Sequence, residues 1–296
     1  MKSLKLAAPL AAVLLAGCSA LQNMDVSSMT GGRVTNEQFQ SATKVAAAVR
    51  KSAADISESE EYYIGRAVAA QILSRYRPLN DPRLNLYAQK ILQAVSMASD
   101  RPSVFKGYHV QILKSGEVNA FAAPGGFIFV TTGLLKLVRS EDELACVLAH
   151  EVAHVAKKHG LKTIKASRLT SAFALLGTEA AKNYTSSQVA QLTDVFKGTV
   201  DDVVNSLVVD GYSRDKEYEA DKFGARYARD ANYDPRALTA FLKRMEEAGA
   251  AGGGGGMFKT HPKPSKRIEE LGALAPSADY RRASSRERRF KAATVY

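Results

Sequence analysis

The chain has 296 residues, of which 46% are hydrophobic, so it can bury the core of one large domain or of two small ones. Its formal net charge is +11, and much of the excess lies in the segment YRRASSRERRFK at residues 280–291. A basic protein favours an anionic partner. The sequence carries no nucleic-acid-binding motif, however, and we expect no nucleic-acid partner.

The first twenty residues, MKSLKLAAPLAAVLLAGCSA, combine lysines, a short apolar run and small residues before Cys18. This pattern is typical of a secretory signal, because the apolar run is too short to span a bilayer. Its Leu-Ala-Gly-Cys ending resembles a bacterial lipobox, in which Cys18 becomes the lipidated N-terminus. Ser19 after the cysteine resembles the pattern of lipoproteins that are sorted to the outer membrane. The alternative is a plain secretory signal cut nearby. We predict a lipoprotein signal peptide over residues 1–17 and a tether over residues 18–45; Cys146 then has no disulfide partner.

The segment between residues 58 and 132 predicts two helices and then a small sheet. The first helix runs from about residue 58 to 76, and the second starts at Asp81, an N-cap residue followed by proline. The period then changes to that of strands, at 108–113, 117–122 and 127–132. Pro124-Gly125-Gly126 provides a turn before the last strand. We expect these strands to form an antiparallel sheet.

The second half of the chain predicts mainly helices. A long helical region follows from residue 161 to about 207, another helix starts near Ser213, and a third opens at Asp234. The basic segment 276–296 is predicted to be a disordered tail, with contact to a membrane surface as the alternative. The predicted fold class is therefore α+β, a mostly helical domain over residues 46–275 around a small antiparallel sheet.

The stretch LACVLAHEVAHVAKKHG, residues 144–160, predicts one well-defined helix that carries two histidines in its middle. Residues 140–143 form a capping-box signature, and Gly160 is a natural stop. His150 and His154 lie four positions apart, so their side chains are about 5–6 Å apart at Cβ and point the same way. Both imidazoles can therefore reach one metal ion at about 2.0–2.1 Å.

Glu151 completes the H-E-x-x-H pattern of zinc proteases. It is turned roughly 100° from His150 on the helix, so it flanks the metal. There it can take a proton from a water molecule that the metal activates. The alternative interpretation, two histidines satisfied within the core, leaves the capped amphipathic setting of this rare pattern unexplained.

A third protein ligand is not obvious from this helix alone. A metzincin would continue with a glycine at Lys157 and a histidine at Gly160. His159 is one residue off that pattern, and we expect it to be a cap or a surface group.

The other common solution places a glutamate on a second helix. The best candidate is Glu217 in YSRDKEYEADKFGARYA, residues 212–228, with Asp221 four residues on and able to accept the N–H of a ligating histidine. Glu219 is the rival but faces away from the site. From geometry alone, Glu217 is as readily a solvated helix charge.

Several motifs together resemble the HtpX and CAAX-prenyl-protease family of zinc metallopeptidases, and more closely its periplasmic BepA- and LoiP-like lipoprotein branch. The resemblance covers roughly residues 58–271. The motifs that carry it are His150-Glu151-x-x-His154, Ser213-Arg214-x-x-Glu217-x-x-Ala220-Asp221, Asn119-Ala120-Phe121-Ala122 with Pro124-Gly125-Gly126, Gly133-Leu134-Leu135, and Thr260-His261-Pro262 with Arg267. It implies a gluzincin-type zincin fold with the H-E-x-x-H helix at the active site.

The resemblance also implies roles for residues outside that helix. Glu217 becomes the third zinc ligand, and Asp221 supports a ligating histidine. Asn119 and Ala120 would lie on a sheet edge that aligns an extended substrate by β-augmentation, whereas an ordinary core strand is the alternative.

His261 and Arg267 belong to the downstream motif of the same family. The resemblance implies that His261 approaches the zinc, either filling its open position in a resting state or steadying the reaction intermediate, with Arg267 nearby. The glycines at 252–256 would let that segment move as a lid.

The sequence thus predicts a zinc endopeptidase with one zinc ion per chain and Glu151 as the catalytic base. Its partners would be unfolded or misfolded polypeptides of the bacterial envelope and, through lipidated Cys18, the periplasmic face of the outer membrane. The alternative is a periplasmic chaperone or assembly factor for outer-membrane proteins, with low or gated proteolysis.

Overall fold

A computed structural model describes residues 56–164, 168, 186–250, 260–274 and 283–294. The predicted signal peptide at 1–17, the tether at 18–45 with Cys18, and the glycines at 252–256 lie outside these ranges. None of the helices within them is both long enough and apolar enough to cross a membrane.

The described chain is mostly helical around a three-stranded sheet, as the sequence predicts. Two helices come first, then the strands, and the remaining helices follow. The elements are α1 (Glu58–Arg75), α2 (Pro82–Met97), β1 (His109–Leu113), β2 (Ala120–Ala123), β3 (Phe127–Thr131), α3 (Thr132–Leu137), α4 (Glu141–Ala156), α5 (Ser186–Asn205), α6 (Arg214–Asp230), α7 (Arg236–Ala250), α8 (Pro264–Leu271) and α9 (Ala283–Thr294). A π-helical turn, Ser206–Asp210, extends α5.

The first two helices begin close to the predicted positions, and each has a capping residue. Ser57 and Glu60 form a capping box at α1, and the Asp81 side chain accepts a hydrogen bond from the Leu84 amide at α2. Each helix buries one apolar face against the sheet or against α4.

The sheet has the order β1-β3-β2 and is mixed, so the expectation of a purely antiparallel sheet is wrong for one pair. β2 and β3 form an antiparallel hairpin through Pro124–Gly126, whereas β1 runs parallel to β3. The chain reverses after β1 and again after β2, and β3 then inserts between them. Ile128, Phe129 and Val130 of β3 are all buried, as expected for a strand covered on both faces. The strand order leaves β2 at an edge.

Helix α4 lies at the centre of the larger hydrophobic core and packs most closely on α6. The approach depends on Gly224, because a Cβ there would lie 2.8 Å from the His150 Cα atom. Cys146 is fully buried on this helix, and burial raises the pKa of its thiol.

The C-terminal segment differs from the disordered tail predicted for residues 276–296, because residues 283–294 form helix α9. Arg286 Nε lies 3.1 Å from Asp142 Oδ2, and Arg289 Nη2 lies 2.5 Å from Glu141 Oε1. Phe290 is buried against the core. The acidic first turn of α4 therefore attracts the basic helix α9. These acidic residues are far from α9 in sequence.

Candidate metal centre

Helix α4 is held at both ends by local hydrogen bonds. At the start, Ser140 Oγ accepts a bond from the Glu143 amide at 3.1 Å. The helix ends at Ala156, four residues before the predicted stop at Gly160, because Lys158 adopts the left-handed conformation with φ 55°. The amide of Lys158 bonds to the Val155 carbonyl and that of His159 to the His154 carbonyl, which is the Schellman motif.

Three buried side chains converge where α4 faces α6. His150 Nε2 lies 3.0 Å from His154 Nε2, and these two atoms lie 3.6 and 3.5 Å from the carboxylate oxygens of Glu217. The three residues form a group able to hold one metal ion. Tetrahedral donors at the usual zinc distances stand about 3.3–3.4 Å apart, so these three side chains already lie close to the spacing that zinc requires. The donor types, two imidazoles and a carboxylate, also match that metal.

The lowered pKa values of Glu217 and His154 suit a bound cation, whereas the raised pKa of His150 opposes it. Burial opposes ionisation of Glu217, but His261, His150 and His154 outweigh it and hold the pKa of the carboxyl well below its usual value. Burial lowers the pKa of His154 well below its usual value, so this ring is neutral, as a ligand must be. Although burial lowers it, Asp221 and Glu217 raise the pKa of His150 to about 9, and a metal would have to displace that proton.

His150 is oriented by a buried ion pair behind it. Its Nδ1 lies 2.9 Å from Asp221 Oδ1. Arg267, which is only 1% exposed, donates to both oxygens of Asp221 at 2.8 and 2.6 Å. The structure therefore places Arg267 behind His150, where it holds Asp221 and where its Nη2 lies 3.4 Å from His150 Nδ1.

His159 is buried and contacts His154, so the expectation that it lies at a helix cap or on the surface is wrong. Its Nδ1 lies 2.9 Å from His154 Nδ1, and its Nε2 lies 3.1 Å from Glu219 Oε2. Burial lowers the pKa of His159 to about 4. Glu219 does not join the three donors, as expected, but it reaches their surroundings through His159. The sequence signal for this contact is the spacing of His159, five residues after His154.

Glu151 lies beside the three donors and is 2% exposed. Its Oε1 has no hydrogen-bond partner among the described residues. Burial raises the pKa of its carboxyl, with His150 and His261 opposing that shift. The side chain lines a small pocket together with residues of β2, Tyr212 and His261. A buried carboxylate with a free oxygen beside a metal position is suited to proton transfer.

His261 lines the same pocket. Its Nδ1 makes a short hydrogen bond to Glu217 Oε2, and its ring centroid lies 5.7 Å from that of His150. The downstream motif thus reaches the donor set through Glu217.

Asn119 and Ala120, the residues predicted to bind substrate, lie at the edge strand β2 and are buried. Asn119 Oδ1 accepts a bond from the Ala120 amide at 2.9 Å, and the backbone of Asn119 bonds to Thr131. Ala120, Phe121 and Ala122 line the same pocket as Glu151. The Asn119 side chain therefore serves the local backbone, while β2 itself borders the site.

The fold and the site together define a metallopeptidase domain. Residues 82–275 match the family description Peptidase family M48, and the chain belongs to this family.

Curated relatives extend the comparison. The chain is 28% identical over 235 residues to the mitochondrial metalloendopeptidase OMA1 of Schizosaccharomyces pombe, covering 78% of this chain and 66% of the relative. It is 29% identical to a putative beta-barrel assembly-enhancing protease of Vibrio cholerae, covering 77% and 48% of the two chains. The beta-barrel assembly-enhancing protease of Escherichia coli is 25% identical, with 83% and 50% covered. The chain thus spans half to two thirds of the length of these relatives.

Proposed function

We propose that the protein is a zinc-dependent endopeptidase that cleaves unfolded or misassembled polypeptides of the bacterial envelope. The observation that carries the proposal is the buried group of His150, His154 and Glu217 with the unpartnered carboxylate oxygen of Glu151 beside it. A purely structural metal staple needs no such carboxylate.

His150, His154 and Glu217 would hold one zinc ion, and Asp221 would orient His150. Bound zinc supplies a Lewis acid that polarises the scissile carbonyl and lowers the pKa of water. Glu151 then accepts the proton of the attacking water and passes it to the leaving amine. Its buried position and raised pKa suit both halves of that transfer, because the base must also act as an acid.

The edge position of β2 supports a substrate that is extended. A strand with a free edge can pair with a peptide through backbone hydrogen bonds, which read conformation more than sequence. Within the part of the chain that the structure describes, β2 has a strand neighbour on one side only. We assign Asn119 and Ala120 to the start of this peptide-binding edge, with Asn119 holding the strand in shape through the Ala120 amide.

The location at the outer membrane rests on the N-terminal sequence. The lipobox-like ending before Cys18 supports a lipid anchor in the periplasm, and it supports membership of the lipoprotein branch of the family. The bacterial relatives named beta-barrel assembly-enhancing protease support an envelope substrate.

A second candidate, a periplasmic chaperone or assembly factor with low or gated proteolysis, is favoured by the contact between His261 and Glu217. In this state one carboxylate oxygen of Glu217, the proposed zinc ligand, is already hydrogen-bonded to His261. The pocket around Glu151 is also small. An enzyme held this way would cleave bulk substrates slowly until the segment of His261 moves.

The test is casein degradation by the full chain purified in detergent, with metal content by mass spectrometry, beside Glu151→Gln. We expect wild type to hold one zinc and cleave, and Glu151→Gln to keep the metal but lose about 10²–10⁴-fold in rate. The matched control is Glu117→Gln, an exposed carboxylate between β1 and β2. If both proteins hold zinc and neither cleaves, while both suppress aggregation of an unfolded client, the chaperone function replaces the endopeptidase.

A further inference from the structure

His150 and His154 are each held by further side chains behind the ring. Of these supporting residues, only Asp221 and Arg267, behind His150, are part of the predicted site. Behind His154 stands a chain of two more side chains. His154 Nδ1 contacts His159 Nδ1 at 2.9 Å, and His159 Nε2 contacts Glu219 Oε2 at 3.1 Å. His159 is fully buried, whereas the Glu219 side chain is 40% exposed.

The proton positions in the row His154, His159 and Glu219 follow from the groups at its two ends. A His154 ring that offers the lone pair of Nε2 to a metal must carry its proton on Nδ1. That N–H can then donate to His159 Nδ1, which must be an acceptor. His159 therefore carries its proton on Nε2 and donates it to the Glu219 carboxylate, whose oxygens accept hydrogen bonds. Every contact is satisfied with both rings neutral.

Local backbone structure places His159 for this contact. The Schellman motif at the end of α4 turns the chain back through Lys158, at φ 55°, so that His159 comes to lie against the last turn of the helix. The Tyr212 ring stacks on the His154 ring with centroids 4.5 Å apart and planes 20° apart. Stacking restricts the plane of the His154 ring, and the bond that its Nδ1–H donates to His159 restricts its rotation within that plane.

We propose that His159 and Glu219 are positioning residues for His154, which hold its Nε2 lone pair toward the metal as Asp221 and Arg267 hold His150. The inference rests on the proposed zinc site. Outer partners of this kind fix the tautomer and orientation of a ligating histidine. One helix, α6, then supplies Glu217 as a donor and two acids, Asp221 and Glu219, that each support a different histidine.

The test measures zinc affinity by competition with a chelator for the full chain and for His159→Phe, Glu219→Ala and Glu219→Gln. Phenylalanine keeps a planar ring in the buried space but neither nitrogen. We expect His159→Phe to bind zinc about 10- to 100-fold more weakly, with Glu219→Ala weakened less and Glu219→Gln nearest to wild type. The matched control is His109→Phe on β1, an exposed histidine whose ring nitrogen bonds to the Lys106 carbonyl.

A second readout separates positioning from a general effect on stability. Nitrogen NMR of the histidine rings should show His154 protonated on Nδ1 in the zinc-bound wild type, with that proton exchanging much faster in His159→Phe. Denaturant unfolding of the metal-free proteins gives the stability change for each variant. Glu219 is half exposed, so Glu219→Ala is expected to fold even if His159→Phe does not.

Zinc affinity equal to wild type in His159→Phe, or in Glu219→Ala where His159→Phe fails to fold, overturns the inference and leaves the endopeptidase proposal intact. A wild type that binds zinc but does not cleave casein would overturn the endopeptidase proposal and leave the inference intact, because the positioning role is then still measurable by affinity. A wild type that binds no zinc overturns both.

Discussion

At the scale of single residues, two buried glutamates side by side have pKa values shifted in opposite directions. Burial raises the pKa of Glu151, which has no hydrogen-bond partner for Oε1 among the described residues. Glu217 is as deeply buried, yet His261 and the two H-E-x-x-H histidines lower its pKa well below the usual value. Such divergence separates a proton carrier from a permanent anion. It supports Glu151 as the base and Glu217 as the ligand.

His261 is the residue whose removal should most directly change access to this site. We expect His261→Ala to keep the zinc and to cleave casein faster, because it frees Glu217 Oε2 and opens one wall of the pocket. The measurement is the initial rate with metal content, against Lys263→Ala, an exposed neighbour on the same segment. A slower variant with unchanged metal content would contradict gating and favour a role for His261 in steadying the intermediate.

At the scale of elements, the site depends on how closely α4 and α6 approach. The two helices carry all three donors, and Gly224 sits at their crossing with no room for a side chain. The added Cβ of an alanine would lie 2.8 Å from the His150 Cα and 2.9 Å from its backbone nitrogen. Backbone atoms cannot move aside as a flexible side chain can, so the helices must separate.

Gly224→Ala should therefore weaken both the fold and the metal site. We expect a loss of about 1–3 kcal/mol in the free energy of unfolding, typical of overpacking, together with weaker zinc binding, because Glu217 shifts away from His150 and His154. Denaturant unfolding and chelator competition measure the two effects. Gly116→Ala is the control, since its Cβ would meet nothing within 4 Å. Wild-type zinc affinity in Gly224→Ala would show that the helix spacing does not set the donor geometry.

At the scale of the whole molecule, the C-terminal helix is tied to the start of the active-site helix. Arg286 is 5% exposed and bonds to Asp142 and to the Asn232 carbonyl, while Arg289 bonds to Glu141. The basic charge that the sequence assigns to a free tail is thus partly neutralised by acids of α4.

Arg286→Ala should destabilise the protein by about 1–3 kcal/mol, because Asp142 Oδ2 and the Asn232 carbonyl lose the guanidinium that donates to them. Asp142 Oδ1 keeps the bond from the Asp234 amide. Arg288→Ala, on the exposed side of the same helix, should change the free energy of unfolding by less than about 0.5 kcal/mol. Denaturant unfolding of both variants decides the matter. Equal stabilities would mean that α9 does not dock on the domain in solution.

The sequence by itself determined the features that depend on near neighbours along the chain. Capping residues set the start of α1, α2 and α4, and the spacing of His150 and His154 put both rings on one helix face, because helical periodicity is local. The turn at Pro124–Gly126 fixed the β2–β3 hairpin for the same reason. Glu217 was recognisable only by resemblance, since its own spacing says nothing about which helix it faces.

Only the tertiary structure decided what depends on contacts between distant segments. The parallel pairing of β1 with β3, the docking of α9 on the acids of α4, and the place of Arg267 behind Asp221 all join residues far apart in sequence. His159 is the instructive intermediate case. Its five-residue distance from His154 is local, but a left-handed Lys158 and the distant Glu219 were needed to turn the ring toward the ligand instead of toward solvent.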